Sequence, residues 1–222
     1  MPAPAGSITQ DKKMTRIIPV WPFVAAMAAT VIASNILVQF PLDHWGLGEI
    51  LTWGAFTYPA AFLITDLTNR RFGPAIARRV VLVGFVFAVV LSVWLATPRI
   101  AIASGTAFLA AQLLDVAVFD RLRRQAWWRP PLFSTLLGSV LDTVLFFTIA
   151  FAAAFAFLDT GLGLEDGSLP FAMPFLGFGS EVPLWVSLAV GDFCVKLLMG
   201  FAMLAPYGAL LSFLRPAEAG RP

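Results

Sequence analysis

The 222-residue sequence has very little cysteine and histidine. Its one cysteine, Cys194, excludes a disulfide within the chain and a cysteine-rich metal site. Its one histidine, His44, falls in a predicted loop, so the histidines that a serine or zinc protease site needs are lacking. No P-loop pattern occurs, which excludes ATP hydrolysis by that route. We therefore expect a protein that is not an enzyme and that has no metal and no cofactor.

Charge is also scarce. Charged residues make up 13% of the chain and hydrophobic ones 59%, and the mean hydropathy is +0.84. A soluble globular protein needs more charged surface than this. A membrane-spanning helix needs roughly 20 mostly apolar residues, and six segments qualify: 17–40, 51–69, 77–97, 100–120, 132–158 and 183–214. The sequence predicts an all-α integral membrane protein with six transmembrane helices in one domain, 17–214, between a disordered tail at 1–16 and a short tail at 215–222.

The basic residues lie mostly on one side of the predicted membrane domain. They precede the first span, follow the sixth, and fill the links between spans two and three and between spans four and five: Lys12, Lys13, Arg16, Arg70, Arg71, Arg78, Arg79, Arg121, Arg123, Arg124, Arg129, Arg215 and Arg221. By the positive-inside rule, both termini are cytoplasmic, and an even number of spans agrees with this. The arginines follow the membrane asymmetry, so we expect a lipid bilayer and no nucleic acid as partner.

Ionisable residues interrupt several of the apolar segments. Such groups are costly in hydrocarbon and usually face a cavity or a charged partner. Counted from the helix starts, Asp142 lies roughly 15 Å into span five, and Asp192 and Lys196 lie at a similar depth in span six. Asp66 and Asp115 fall in the cytoplasmic third. We therefore expect a polar centre near the midplane and a second polar layer near the cytoplasmic mouth.

Helical spacing places these groups on continuous stripes, since residues three or four apart share a helix face. The stripes are Phe62, Thr65 or Asp66, and Asn69 in span two; Ser104, Phe108, Gln112 and Asp115 in span four; Thr135, Ser139, Asp142 and Phe146 in span five; and Ser187, Gly191 or Asp192, and Lys196 in span six. Stripes that converge on one interior predict a polar cavity with aromatic faces.

Each of these residues also has a purely structural interpretation. Asp192 and Lys196 are four residues apart and can neutralise each other, and Lys196 can instead pair with Asp142 across two helices. Asp66 and Arg70 have the same spacing, which fits a local anchor or gate. Gln112 and Asn35 can act as hydrogen-bonding links between helices. These alternatives stay open at the level of the sequence.

Several stretches resemble the queuosine precursor transporter family, also called the vitamin uptake transporter family. They are ASNILVQFP (33–41), TWGAFTYP (52–59), FLITDLTNRRFG (62–73), RIAIAS (99–104), QLLDVAVFDRLR (112–123), WWRPPLFSTLLGSVLDTVLFFTIAF (127–151), and GDFCVKLL with PYGALL (191–211). The resemblance covers every predicted span but not the tails or the link at 159–182. It implies a six-helix bacterial inner-membrane importer of 7-deazaguanine bases, similar in architecture to the substrate-binding subunits of energy-coupling-factor vitamin importers.

This resemblance suits the polar and aromatic stripes. The guanine-like edge of such a base offers an N–H, an amine and a carbonyl, which a carboxylate and an amide or hydroxyl can bind while aromatic rings cover the faces. We expect Asp142 or Asp192 to take that edge. The predicted substrate-binding residues are Asn35, Ser104, Phe108, Gln112, Asp142, Phe146, Asp192 and Lys196, and the predicted gate residues at the inner mouth are Asp66, Asn69 and Asp115.

Two other functions fit the same sequence. One is a substrate-capture subunit that needs a separate ATP-driven complex, and the other is a membrane assembly protein that transports nothing. The number of polar stripes argues against the assembly protein, since a scaffold needs only one or two such residues. The expected partners are a small-molecule substrate and the bilayer, and a second copy of the chain as a homodimer.

Overall fold

The computed structural model describes residues 19–42 and 52–212. The expectations for the tails at 1–16 and 215–222 and for the loop that contains His44 lie outside these residues. Within them the chain forms α1 (Trp21–Leu37), α2 (Gly54–Thr57), α3 (Pro59–Phe72), α4 (Pro74–Leu95), α5 (Pro98–Leu122), α6 (Arg129–Phe151), α7 (Phe157–Thr160) and α8 (Leu184–Leu211). Short 3-10 helices lie at Ala153–Phe155 and Phe175–Gly177.

The described helices include four that are long and apolar enough to cross a membrane: α4, α5, α6 and α8. Helix α1 is apolar but has 17 residues, and α3 has 14. The expected integral membrane protein is therefore supported by four spans, and the full set of six with both termini inside stays a prediction.

Proline and glycine mark the helix boundaries as the sequence indicates. Gly73 has φ of 87°, a left-handed conformation that favours glycine, and it ends α3 just before Pro74 begins α4. Thr97 caps α5 by accepting a hydrogen bond from the backbone N–H of Ile100. Proline stands at the start of α4, α5 and α6, where a missing N–H costs nothing.

Two predicted spans differ from the observed helices. The span expected at 51–69 is divided at Tyr58 because Pro59 has no N–H to continue the hydrogen-bonding pattern, and its second part runs on to Phe72. The span expected at 132–158 ends at Phe151, where Ala152 adopts an extended conformation. The following segment, AAFAF, is also apolar, so hydropathy alone does not show where the helix ends.

Helix α5 packs between α4 and α6, and α6 in turn packs against α8. The main apolar core is built from α1, α3, α4 and α5 and contains the fully buried Met27, Val81 and Ala77. Helix α6 comes very close to α3 and α5 at Gly138, where an added Cβ would lie 2.6 Å from Phe62 Cε1 and 3.3 Å from the carbonyl oxygen of Ala111. This close approach brings the polar faces of α3, α5 and α6 together.

The link after α6 is ordered around Arg99, which is only 1% exposed. Its guanidinium donates to Asp159 Oδ2 at 2.9 Å, Ser168 Oγ at 3.1 Å and Asp166 Oδ1 at 3.3 Å. It also donates to the carbonyl oxygens of Ile149 at 2.8 Å and Ala152 at 2.6 Å, which lie at the end of α6. One arginine of α5 thereby fixes both the last turn of α6 and the link.

The same link contains one departure from the all-α expectation. Ala172–Pro174 (β1) and Glu181–Pro183 (β2) form a two-stranded antiparallel hairpin just before α8.

Hydrogen bonds from Ser168 and the positive charge of Arg99 hold the pKa of the Asp166 carboxyl below its usual range. Asp166 therefore stays ionised and paired at neutral pH.

Candidate functional site

A cavity of about 130 Å³ lies inside the helix bundle. A single water needs roughly 10–15 Å³ by this measure, so the cavity can hold a molecule of many atoms. All the longer helices contribute to its wall, which consists of Thr30, Val31, Ser34, Asn35, Val38, Thr52, Gly54, Ala55, Tyr58, Ala61, Ala88, Ser104, Ala107, Phe108, Asp142, Phe146, Asp192 and Lys196. The lining combines apolar residues with a few polar groups, as is typical of small-molecule sites.

The charged wall of the cavity is organised by Lys196 of α8. Its ammonium donates to Asp142 Oδ2 at 2.6 Å and to Thr143 Oγ1 at 3.3 Å, and it forms an ion pair with Asp192 one turn earlier. The Thr143 hydroxyl donates to Asp192 Oδ2 at 3.1 Å. Two carboxylates thus share one cation, and the three hydrogens of the ammonium are all in use.

Tyr58, at the break between α2 and α3, joins this charged group to the aromatic residues. Its hydroxyl donates to Asp142 Oδ1 at 2.8 Å, and Lys196 Nζ lies 5.4 Å from the centre of its ring. The ring makes edge-to-face contacts with Phe62 and Phe108, with centroids 6.2 Å and 6.1 Å apart. Tyr58 therefore positions Asp142 while presenting an aromatic surface to the cavity.

The two carboxylates of the cavity are not equivalent. Both oxygens of Asp142 accept hydrogen bonds, Oδ1 from Tyr58 and Oδ2 from Lys196, and its side chain is 6% exposed. The Asp192 side chain is 17% exposed, and its contacts with Lys196 and Thr143 both involve Oδ2. Asp192 is thus the carboxylate that the cavity makes available to a ligand.

Most of the predicted substrate-binding residues line this cavity: Asn35, Ser104, Phe108, Asp142, Phe146, Asp192 and Lys196. The structural alternatives also occur, because Lys196 pairs with both Asp142 and Asp192. Asn35 donates to the carbonyl of Val31 in its own helix at 2.9 Å and accepts from Ser92 Oγ at 3.5 Å.

Gln112 is absent from the cavity wall. It lies one turn beyond Phe108 on α5, where its Oε1 accepts a hydrogen bond from Thr65 Oγ1 of α3 at 2.6 Å. This is the link between helices that the sequence allowed as an alternative. The stripe on α5 therefore divides at Phe108 into a part that lines the cavity and a part that lies beneath it.

The three predicted gate residues lie in that lower layer, and all are buried. Asp66 Oδ1 accepts a hydrogen bond from Ser134 Oγ of α6 at 3.1 Å, and the oxygens of Asp115 accept none within the described residues. Asn69 Nδ2 donates to the carbonyl of Val116 at 3.0 Å. This layer joins α3, α5 and α6 at the end of the bundle that carries the arginines.

Sequence reasoning missed Tyr58 and Thr143 as members of the site. Tyr58 falls in the stretch TWGAFTYP, where the Tyr-Pro pair signals a helix break but gives no depth. Thr143 follows Asp142 directly, so helical spacing assigns it to a neighbouring face. Only the packing of α6 against α8 brings its hydroxyl between the two charged residues.

The described part of the chain contains no cluster of three or more histidine, cysteine, aspartate or glutamate residues that could hold a metal ion. The carboxylates of the cavity have a lysine between them, which occupies the position that a cation would need. The groups that the cavity presents are hydrogen-bonding side chains and aromatic rings.

Comparison with known proteins places the chain among transporters. Residues 52–97 and 91–210 match the family described as "Putative vitamin uptake transporter". The chain is 37% identical over 206 residues to the protein of Escherichia coli (strain K12) named "Queuosine precursor transporter", a match that covers 83% of this chain and 82% of the relative.

Two further relatives have similar names. The "Probable queuosine precursor transporter" of Haemophilus influenzae is 33% identical over 216 residues, covering 83% of each chain. The protein of the same name in Bacillus subtilis is 30% identical over 157 residues, covering 58% of this chain and 67% of the relative. No solved structure matches the chain.

Proposed function

The chain belongs to the vitamin uptake transporter family, and from this premise we propose that it imports queuosine precursors across the bacterial inner membrane. The proposed substrates are the 7-deazaguanine bases: 7-cyano-7-deazaguanine, its 7-aminomethyl form or queuine. Once inside the cell, the base is used to make the queuosine of tRNA.

Family membership confirms the resemblance found in the sequence. It also confirms that the chain is a transporter and not an enzyme, and a multi-pass protein of the bacterial inner membrane. The choice among precursors, the site at which the base binds and the homodimer remain proposals. So does the likeness to the substrate-binding subunits of energy-coupling-factor importers.

The observation that carries the proposed substrate is the meeting of Asp192, Ser104 and several aromatic rings in one cavity. The carboxylate of Asp192 accepts from the ring N–H and the amine of the base, which a guanine-like edge presents side by side. The hydroxyl of Ser104 makes no hydrogen bond within the described residues, and it donates to the carbonyl of the base. Tyr58, Phe108 and Phe146 cover the flat faces.

Lys196 has a supporting role in this arrangement. Its three hydrogens are already used by the two aspartates and Thr143, so it holds both carboxylates in place and does not contact the base. Asp142, with both oxygens engaged, fixes Tyr58 and Lys196 in turn. Asn35 completes the polar wall opposite α8.

The test is rescue of tRNA queuosine in a bacterium that lacks both precursor synthesis and its own importer. We expect the wild-type gene to restore queuosine when 7-cyano-7-deazaguanine is supplied in the medium. Asp192→Asn should lose this rescue. The asparagine amide has one accepting oxygen and no charge, so it cannot accept both hydrogen bonds from the base edge as the carboxylate does. Normal queuosine levels with Asp192→Asn, at equal protein abundance, would refute the assigned binding site.

The choice of host separates import from substrate capture. A substrate-capture subunit requires an ATP-driven complex, so it would restore queuosine only where such a complex is present. We expect rescue in a host that has none. Rescue only after the complex is supplied would favour the substrate-capture function.

A further inference from the structure

A pair of acidic residues lies beneath the cavity, between its floor and the arginine-rich end of the bundle. We call Asp66 of α3 and Asp115 of α5 the inner acidic pair. Asp115 is seven residues past Phe108, which places it roughly 10 Å beyond the cavity along α5. Neither residue lines either of the two cavities that the structure describes. The pair therefore has a role separate from direct contact with a base in the cavity.

The two residues lie where α3 and α5 are joined by the Thr65–Gln112 bond on one side and the Asn69–Val116 bond on the other, and both are excluded from water, at 2% and 0% exposure. Ser134 has one hydroxyl hydrogen and donates it to Asp66. Neither oxygen of Asp115 accepts a hydrogen bond from any residue in the described part of the chain.

The arginines at this end of the bundle are bound mainly by other groups, and one nitrogen of Arg70, Nη2, has no hydrogen-bond partner among the described residues. Arg70, one turn after Asp66, donates to Tyr207 Oη and to the carbonyl of Arg123, both at 2.9 Å, and stacks on Phe119. Arg123 pairs with Asp120 at the surface. No described ion pair joins either arginine to the inner acidic pair. Two adjacent carboxylates without water repel each other, and a proton on one of them removes that repulsion.

Unused hydrogen-bonding groups flank the pair in the same layer. Gln112 Nε2 and Asn69 Oδ1 are fully buried and have no partner among the described residues. Each lies one helical turn from a member of the pair, Gln112 towards the cavity and Asn69 towards the arginine-rich end. The Thr65 bond holds the Gln112 amide at the contact of α3 and α5, next to Asp66. The layer thus contains an unpaired amide nitrogen, Gln112 Nε2, that can donate to a carboxylate, and an unpaired amide oxygen, Asn69 Oδ1, that can accept from a carboxylic acid.

From these contacts we infer that Asp66 and Asp115 hold one exchangeable proton, and that the chain moves its base into the cell together with that proton. This inference rests on the proposed function and adds its energy source. The proton arrives by way of the cavity, binds one carboxyl of the pair, and leaves past Asn69 to the cytoplasm. The base itself is chemically unchanged, and no electron is transferred.

The test uses purified protein in liposomes with labelled 7-cyano-7-deazaguanine. With one proton per base, an acid exterior one pH unit below the interior supports accumulation of up to about tenfold, because equal concentration ratios carry equal free energy. We expect this accumulation in the wild type and its loss on adding a protonophore. Asp115→Asn should abolish accumulation yet retain exchange of labelled for unlabelled base. Asp120→Asn, on the exposed end of the same helix, is the matched control and should accumulate normally.

The outcomes separate the two proposals. A wild type that exchanges base but ignores the pH difference refutes proton coupling and leaves import standing. Accumulation by Asp115→Asn at the wild-type level also refutes it. Absence of any exchange by the wild type refutes the proposed import function itself.

Infrared spectroscopy tests the shared proton without transport. We expect the wild-type protein to show a carboxylic-acid carbonyl band at neutral pH that is missing from both Asp66→Asn and Asp115→Asn. A wild-type spectrum without that band would show both carboxyls ionised and would overturn the inference, even if the variants prove unstable.

Discussion

At the scale of single residues, Lys196 holds the site together. It connects two aspartates on different helices, and its removal would leave both carboxylates unpaired in a largely buried position. Removing one side chain from a buried ion pair destabilises the protein because the remaining charge has no partner. Asp142 and Lys196 are therefore poor positions for testing base recognition, and Asp192, Ser104 and Tyr58 are better ones.

Tyr58→Phe tests the positioning of the cavity's charged wall. The change keeps the ring but removes the hydroxyl that donates to Asp142 Oδ1 at 2.8 Å. A hydrogen bond to a charged group contributes about 1.5–3 kcal/mol, so we expect roughly 10- to 100-fold weaker binding of labelled base to the purified protein. Tyr58→Leu removes the ring as well and should bind more weakly still. Wild-type affinity for Tyr58→Phe would show that this hydroxyl has no part in recognition.

Helical spacing alone identified much of the cavity wall, because charged residues in apolar segments are rare and the stripes are short. It grouped Ser104, Phe108, Gln112 and Asp115 as one set, whereas the structure divides them at Phe108. A periodic pattern gives the face of a helix but not how far along it a cavity extends. The contact of Phe108 with Tyr58 that forms the floor depends on packing between helices.

At the scale of elements, the contact of α6 with α3 and α5 decides whether the polar stripes meet. Gly138→Val tests it, since even a Cβ would lie 2.6 Å from Phe62, a buried ring with little freedom to move. Overpacking of this kind costs about 1–3 kcal/mol. We expect a lower melting temperature in detergent for Gly138→Val. Gly105→Ala, whose Cβ would be 3.4 Å from Phe85, is the control and should melt near the wild type.

Arg99 is predicted to hold the link after α6 in place. Arg99→Ala would leave Asp159 buried without its cation, which typically costs about 3–5 kcal/mol. We expect a lower melting temperature and faster proteolysis within 159–168 in detergent. Arg121→Ala, an exposed arginine on the same helix, should do neither. Wild-type proteolysis of Arg99→Ala would mean that other contacts order the link.

Helix ends marked by proline or glycine were predictable, as at Gly73-Pro74, because those residues restrict the backbone directly. The end of α6 at Phe151 was not, since the residues that follow are also apolar and the end depends on Arg99 binding the carbonyls of Ile149 and Ala152. Contacts distant in sequence leave no local pattern. The small hairpin before α8 was missed because its strands have three residues each, too few to show an alternating pattern.

At the scale of the whole molecule, the arginines predict which face of the bundle is cytoplasmic. Single-cysteine variants in a Cys194→Ser background test this in intact cells. A cysteine at Ser180, in the link before α8, should react with a membrane-impermeant thiol reagent. One at Gln125, between α5 and α6, should react only after the cells are opened; both positions are exposed. Labelling of Gln125→Cys in intact cells would show that the orientation is the opposite of the predicted one.

Exchange of labelled 7-cyano-7-deazaguanine by the purified protein in liposomes tests the central claim most directly. We predict saturable exchange that unlabelled 7-aminomethyl-7-deazaguanine reduces and adenine does not, because adenine lacks the combined N–H, amine and carbonyl edge that we propose Asp192 and Ser104 bind in the cavity. Exchange no greater than that of protein-free liposomes would contradict import of queuosine precursors. Equal competition by adenine would contradict recognition through that edge.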